Sequence, residues 1–172
     1  MATTLVWCVL LSQGWTTQAA PPGGEGGDIS KWKTFTNRAG WGVKYPGDWQ
    51  IVSCVQCSDP TDPNVFVSLS NPATKALIMV NHLIDKPNDQ TVDEWLNDVK
   101  ATANLSPRIR EEWTLLDGAR ALKVITRSGD STYENTYVVR NSRTFYISFE
   151  RDNPSESLCR KILSTFRFTR SK

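Results

Sequence analysis

Three short turn signals in the second half of the chain constrain its fold more than any other feature. Asp117-Gly118, Ser128-Gly129-Asp130 and Asn141-Ser142 separate runs around Arg110 to Leu116, Arg120 to Thr126, Thr132 to Arg140 and Thr144 to Glu150. Turn formers between runs rich in β-branched and aromatic residues are hairpin signals. Three consecutive hairpins predict a four-stranded antiparallel meander. In the last run Phe145, Ile147 and Phe149 alternate with Thr144, Tyr146, Ser148 and Glu150, the pattern of a strand with one dry face.

The first half adds strands at Trp32 to Phe35, Trp41 to Tyr45, Gln50 to Val52 and Val65 to Leu69. Between the second and third of these, Gly40 to Ile51 reads as strand, Pro46-Gly47 turn and strand, a corner over which the rest of the chain closes. Ala76 to Ile84 is apolar at nearly every position, as in a central strand covered on both faces, so helices are expected on both sides of the sheet. Thr91-Val92-Asp93-Glu94 is a capping box, and Val92, Trp95, Leu96 and Val99 follow on one helical stripe that Pro107 limits. A second helix is predicted from Asn153 as N-cap with Pro154 at the first turn, its stripe formed by Leu158, Cys159, Ile162, Leu163 and Phe166. The fold class is α+β, an antiparallel sheet with helices packed on it.

At 172 residues the chain fits one domain, expected as a monomer. Twenty basic residues against 18 acidic ones give a net charge of +2 with no basic block, which argues against a nucleic-acid partner. Residues 1–20 read as a signal peptide. Leu5 to Leu11 is an apolar run too short to span a bilayer, and Thr17-Gln18-Ala19-Ala20 offers small residues for cleavage, although no Lys or Arg precedes the run. An extracytoplasmic location, periplasmic or secreted, follows. Residues 21–31, rich in Pro and Gly, read as a flexible linker without a nucleotide-binding pattern, and 32–172 as the folded domain.

Cys54-x-x-Cys57 is the most conspicuous constellation. Turn formers follow Cys57, so the helix that would lower the first thiol's pKa is lacking, and a zinc site would want a second pair where only Cys159 and His82 remain. A local disulfide is the favoured reading, with thiol-disulfide chemistry and metal binding as alternatives. His82, the sole histidine, falls in phase with Ile78, Val80 and Ile84 and reads as a satisfied core or edge residue rather than a catalytic base. No Gly-x-Ser-x-Gly or other nucleophile signature occurs. Asp59, Asp62 and Asn64 carry oxygens spaced for calcium, against which stands ordinary turn capping by Asp. Trp41 reads as an exposed anchor for a partner, with the Cys54 to Asn64 loop, including Val55 and Gln56, beside it; Trp49 and Trp95 read as core. Asn104-Leu105-Ser106 is a glycosylation sequon, meaningful in a eukaryotic secretory pathway.

Gly42-Val43-Lys44-Tyr45-Pro46-x-x-Trp49, Thr91 to Trp95, Gly118-Ala119, Tyr137, Phe145-Tyr146 and Lys161-Ile162-Leu163-Ser164-Thr165-Phe166, in this order, resemble the PsbP-like family. That family includes photosystem II extrinsic proteins and many extracytoplasmic bacterial proteins. The resemblance implies an α/β/α sandwich and a non-enzymatic role in binding or stabilising another protein, often at a membrane surface. Photosystem members are associated with calcium and chloride retention, so calcium is the one cofactor the resemblance implies. The Cys54-x-x-Cys57 loop departs from them, and no ion-retention residue maps onto this chain. The expected function is an exported docking module for a membrane or envelope protein; a photosystem II-type extrinsic subunit and a thiol-disulfide oxidoreductase are the alternatives.

Overall fold

The computed structural model describes residues 27–53, 66–102 and 107–169. A turn of 3-10 helix at Ile29–Lys31, capped by the Asp28 carboxylate on the Ser30 amide at 2.9 Å, lies inside the segment read as linker. It leads into β1 (Lys33–Asn37), β2 (Trp41–Tyr45), β3 (Gln50–Ser53), β4 (Val67–Ser70) and β5 (Leu77–Asp85). Helix α1 (Val92–Thr102) follows, then β6 (Arg108–Leu116), β7 (Ala119–Ser128), β8 (Ser131–Arg140), β9 (Arg143–Glu150), α2 (Glu156–Ser164) and β10 (Arg167–Phe168).

The turns form for the local reasons read in the sequence. Asp117 and Gly118 have φ of 48° and 75°, and Asn141 and Ser142 of 50° and 62°, the left-handed backbone of two-residue hairpin turns. These turns close the pairs Leu116 with Ala119 and Arg140 with Arg143, so β6 to β9 are the predicted meander. At α1 the capping box closes in both directions: the Glu94 amide donates to Thr91 Oγ1 at 3.3 Å, and the Thr91 amide donates to the Glu94 carboxylate at 2.9 Å.

β6 to β9 join β3, β4 and β5 in a seven-stranded antiparallel sheet of order β3-β4-β5-β9-β8-β7-β6, and β1, β2 and β10 form a second sheet of order β1-β2-β10. Along β8, Val138 enters one core while Tyr137 and Val139 enter another. The larger core holds Trp41 and Trp49, Phe145, Ile147 and Phe149 of β9, and Ile162 and Phe166 of the α2 segment. The smaller one packs Leu96 and Val99 of α1 on Leu122, Val124, Tyr137 and Val139. Helices thus cover opposite faces of the large sheet, and the fold is α+β as read, with the small sheet added to the α2 side.

Four expectations need correction. The Pro46-Gly47 corner does not join neighbouring strands of one sheet: it carries the chain from the small sheet (β2) to the large one (β3). Trp41 is not an exposed anchor. It is 2% exposed, its ring stacks on Phe166 at 5.5 Å and lies 5.4 Å from Phe35, and β10, a strand with no signal in the sequence, pairs beside it on β2. α2 starts at Glu156 rather than beside Asn153, because the Asn153 side chain accepts from the Ser155 amide at 2.8 Å and its carbonyl from the Glu156 amide at 2.9 Å, making a turn before the helix. β5 is buried on the face of Ile78 and Val80, whereas Leu77 on its other face is exposed, since α1 lies over β7 and β8.

Candidate functional site

The residues singled out in the sequence do not assemble into one site. Cys54, Val55, Gln56, Cys57, Asp59, Asp62 and Asn64 lie outside the described residues, as do the signal segment and the sequon. His82 Nε2 donates to Asp85 Oδ1 at 3.1 Å and its ring lies 5.9 Å from Phe145, so it is a partly buried strand histidine with a carboxylate and an aromatic ring as its partners. Cys159 is a free, buried thiol on the packed face of α2, and burial pushes its pKa up to about 12, far from the range of a reactive thiolate. Trp49 is core, as read, and Trp95 is part-buried with its indole N–H donating to Thr144 Oγ1 at 2.6 Å. Among the described residues no group of three or more His, Cys, Asp or Glu could hold a metal.

What the topology does build is an edge and a groove. β6 ends the large sheet, so among the described residues one side of its backbone has no strand partner. Its side chains are nearly all exposed, including Ile109 at 53%, Trp113 at 37% and Leu115 at 67%. Trp113 and Leu115 stand opposite Leu122 and Arg120 of β7, on the face that carries α1. The Arg120 guanidinium lies 4.5 Å from the Trp113 ring and is itself held by both carboxylate oxygens of Asp93 on α1. Nearby, Glu111 accepts from Arg108 at 2.8 Å and from Lys100 of α1 at 2.9 Å; these bonds hold its carboxyl below the usual range.

The groove lies on the other face, where α2 stops short of the sheet edge. Its floor is Arg110 and Glu112 of β6, Lys123 of β7 and Glu134 of β8, and its wall is Arg151 and Arg160. Glu134 is 2% exposed, a carboxyl group in the register of a core strand, and cations surround it: Arg160 donates at 2.8 Å, with Lys123 and Arg151 at 3.8 and 4.0 Å. Arg160 also donates to Glu156 one turn earlier, and its guanidinium stands 5.5 Å from the Phe149 ring. Burial works against its charge, but the bonds to Glu156 and Glu134 outweigh this and hold its pKa above the usual value. Sequence reasoning missed this cluster. The available signal was Glu134 itself, in phase with Val138 on a strand whose alternation makes that face dry.

An α+β sandwich of these two antiparallel sheets, with a helix on each face of the larger, is the class the geometry defines. It is a PsbP-like fold. The chain is similar to the solution structure of cyanobacterial PsbP (CyanoP) from Synechocystis sp. PCC 6803, with a TM-score of 0.57 and 17% identity over 83% of this chain and 95% of that one. It is also similar to a crystal structure from Bacteroides thetaiotaomicron VPI-5482, with a TM-score of 0.51 and 13% identity over 81% of this chain and 49% of that one, so the match spans about half of the second protein. At these identities the likeness is one of fold. No protein-family model matches the sequence, and no curated protein matches it.

Proposed function

We propose that the protein is an exported, non-catalytic docking module of PsbP-like type that binds a membrane or envelope protein along β6. The observation that carries the reading is the edge: nine residues long, unpaired among the described residues, with Trp113 and Leu115 exposed on one face. Such an edge can accept a partner strand through its backbone while aromatic and aliphatic side chains supply affinity. The absence of a nucleophile signature in the sequence and the inert state of Cys159 support a non-catalytic role, and the apolar run Leu5 to Leu11 supports export. Calcium association through Asp59 and Asp62, and thiol chemistry through Cys54 and Cys57, are the further proposals of the sequence.

The test is a photo-crosslinking residue at Leu115 in cells of the native source, followed by mass spectrometry. One recurrent membrane or envelope protein is expected, released by Leu115→Arg with no change in thermal midpoint. No recurrent capture, or one indifferent to Leu115→Arg, sinks the reading.

A further inference from the structure

The groove beside β6 holds more cationic donors than its own carboxylates use. Four cations, Arg110, Lys123, Arg151 and Arg160, and two carboxylates, Glu112 and Glu134, line a cavity of about 150 Å³. Glu134 takes its hydrogen bond from Arg160 at 2.8 Å. Lys123 Nζ at 3.8 Å and Arg151 Nε at 4.0 Å attract it through space but are too far to donate. Arg151 Nε is buried with its nearest carboxylates, Glu156 at 3.6 Å and Glu134 at 4.0 Å, beyond hydrogen-bond reach among the described residues, and Arg110 stands 3.5 Å from Glu112 with an otherwise exposed guanidinium. Buried N–H groups of charged side chains want acceptors, and a planar carboxylate suits guanidinium donors. Beside it a second cavity of about 210 Å³ shares Lys123, Glu134 and Arg160 and is lined further on by Leu116 and Leu163, with Thr114, Thr136 and Ser164 at its polar margin. A ligand with its acidic head among the cations would lay a short apolar tail there. Glu156 draws on Arg160 and Arg151 from outside, so the surplus of positive charge is small and matches a monoanion better than a dianion.

We propose that this groove binds the carboxylate of a short apolar chain, either a free small organic acid or the C-terminus of a polypeptide. The groove uses the side chains of Arg110 and Glu112 on one face of β6, and the docking edge uses its backbone with Trp113 and Leu115 on the other, so either proposal can fail alone. The experiment is an amide NMR titration of the ¹⁵N-labelled chain at constant ionic strength with butyrate, inorganic phosphate, and a short peptide ending in valine, its C-terminus free or amidated. Saturable shifts confined to the surroundings of Arg110, Lys123, Glu134 and Arg151 are expected. Butyrate alone reaching saturation identifies a free acid, and the free-ended peptide alone a protein terminus. Lys123→Gln should raise the dissociation constant about tenfold, the worth of one charged hydrogen bond, and Arg110→Gln, at a side chain that is largely exposed, should weaken binding without touching the fold. Linear or scattered shifts, phosphate binding more tightly than butyrate, equal binding of the amidated peptide, or indifference to both substitutions would overturn the proposal.

Discussion

Arg160→Met removes the guanidinium that hydrogen-bonds the buried Glu134 carboxylate at 2.8 Å and leaves an apolar chain over Phe149. Breaking a buried ion pair from one side costs about 3–5 kcal/mol when the charge left behind has no other partner. Here Lys123 and Arg151 remain at 3.8 and 4.0 Å, and the Arg160 side chain is 39% exposed, so water already screens part of its charge. The loss should fall near the worth of one charged hydrogen bond to Glu134, about 2 kcal/mol, since the half-exposed pair that Arg160 also makes with Glu156 adds only about 0.3–0.5 kcal/mol. With a urea dependence of roughly 1–3 kcal/mol per molar, the unfolding midpoint drops by about 1 M, followed by tryptophan fluorescence. Adding Glu134→Leu to Arg160→Met removes both charges, and an apolar replacement of a buried pair is often near neutral. The double variant should therefore be more stable than Arg160→Met alone. A midpoint change under about 0.2 M for Arg160→Met, or a double variant that loses the sum of the two single effects, would refute the account of how Glu134 is held.

Trp41→Ala should destabilise as a core truncation, by about 3–5 kcal/mol, because the ring is buried between Phe35 and Phe166; a thermal midpoint equal to that of the wild type would return Trp41 to the surface. Glu111, whose carboxyl Arg108 and Lys100 hold below the usual range, sets a pH dependence. A lowered folded pKa contributes stability above the unfolded value, near 4.3, and loses it as pH falls through the folded one. The wild type should thus lose slightly more stability than Glu111→Gln between about pH 5 and 3, and parallel acid limbs in urea titrations would exclude the contribution.

Features set by a few neighbouring residues were legible in the sequence. The hairpins at Asp117-Gly118 and Asn141-Ser142 require left-handed backbone and carry residues that tolerate it, and the Thr91 and Glu94 capping box needs three residues' separation and nothing else. Trp41 was misread because its burial depends on β10, two residues from the other end of the chain, pairing with β2. Which strand forms the edge is non-local in the same way. β5 neighbours β9 rather than β6, so α1 carries the chain past the whole meander, and β6 lands farthest from β5 while β7, β8 and β9 step back toward it. No local pattern in Arg108 to Leu116 announces that outcome, since its mixed charges and apolar residues suit a half-exposed inner strand as well. Once the strand is at the edge, the two kinds of residue separate in meaning. Arg108, Arg110, Glu111 and Glu112 blunt the edge against indiscriminate pairing, as charged edge residues do. Trp113 and Leu115 work against that protection, and their exposure at an edge that is unpaired among the described residues is the observation on which the docking proposal rests.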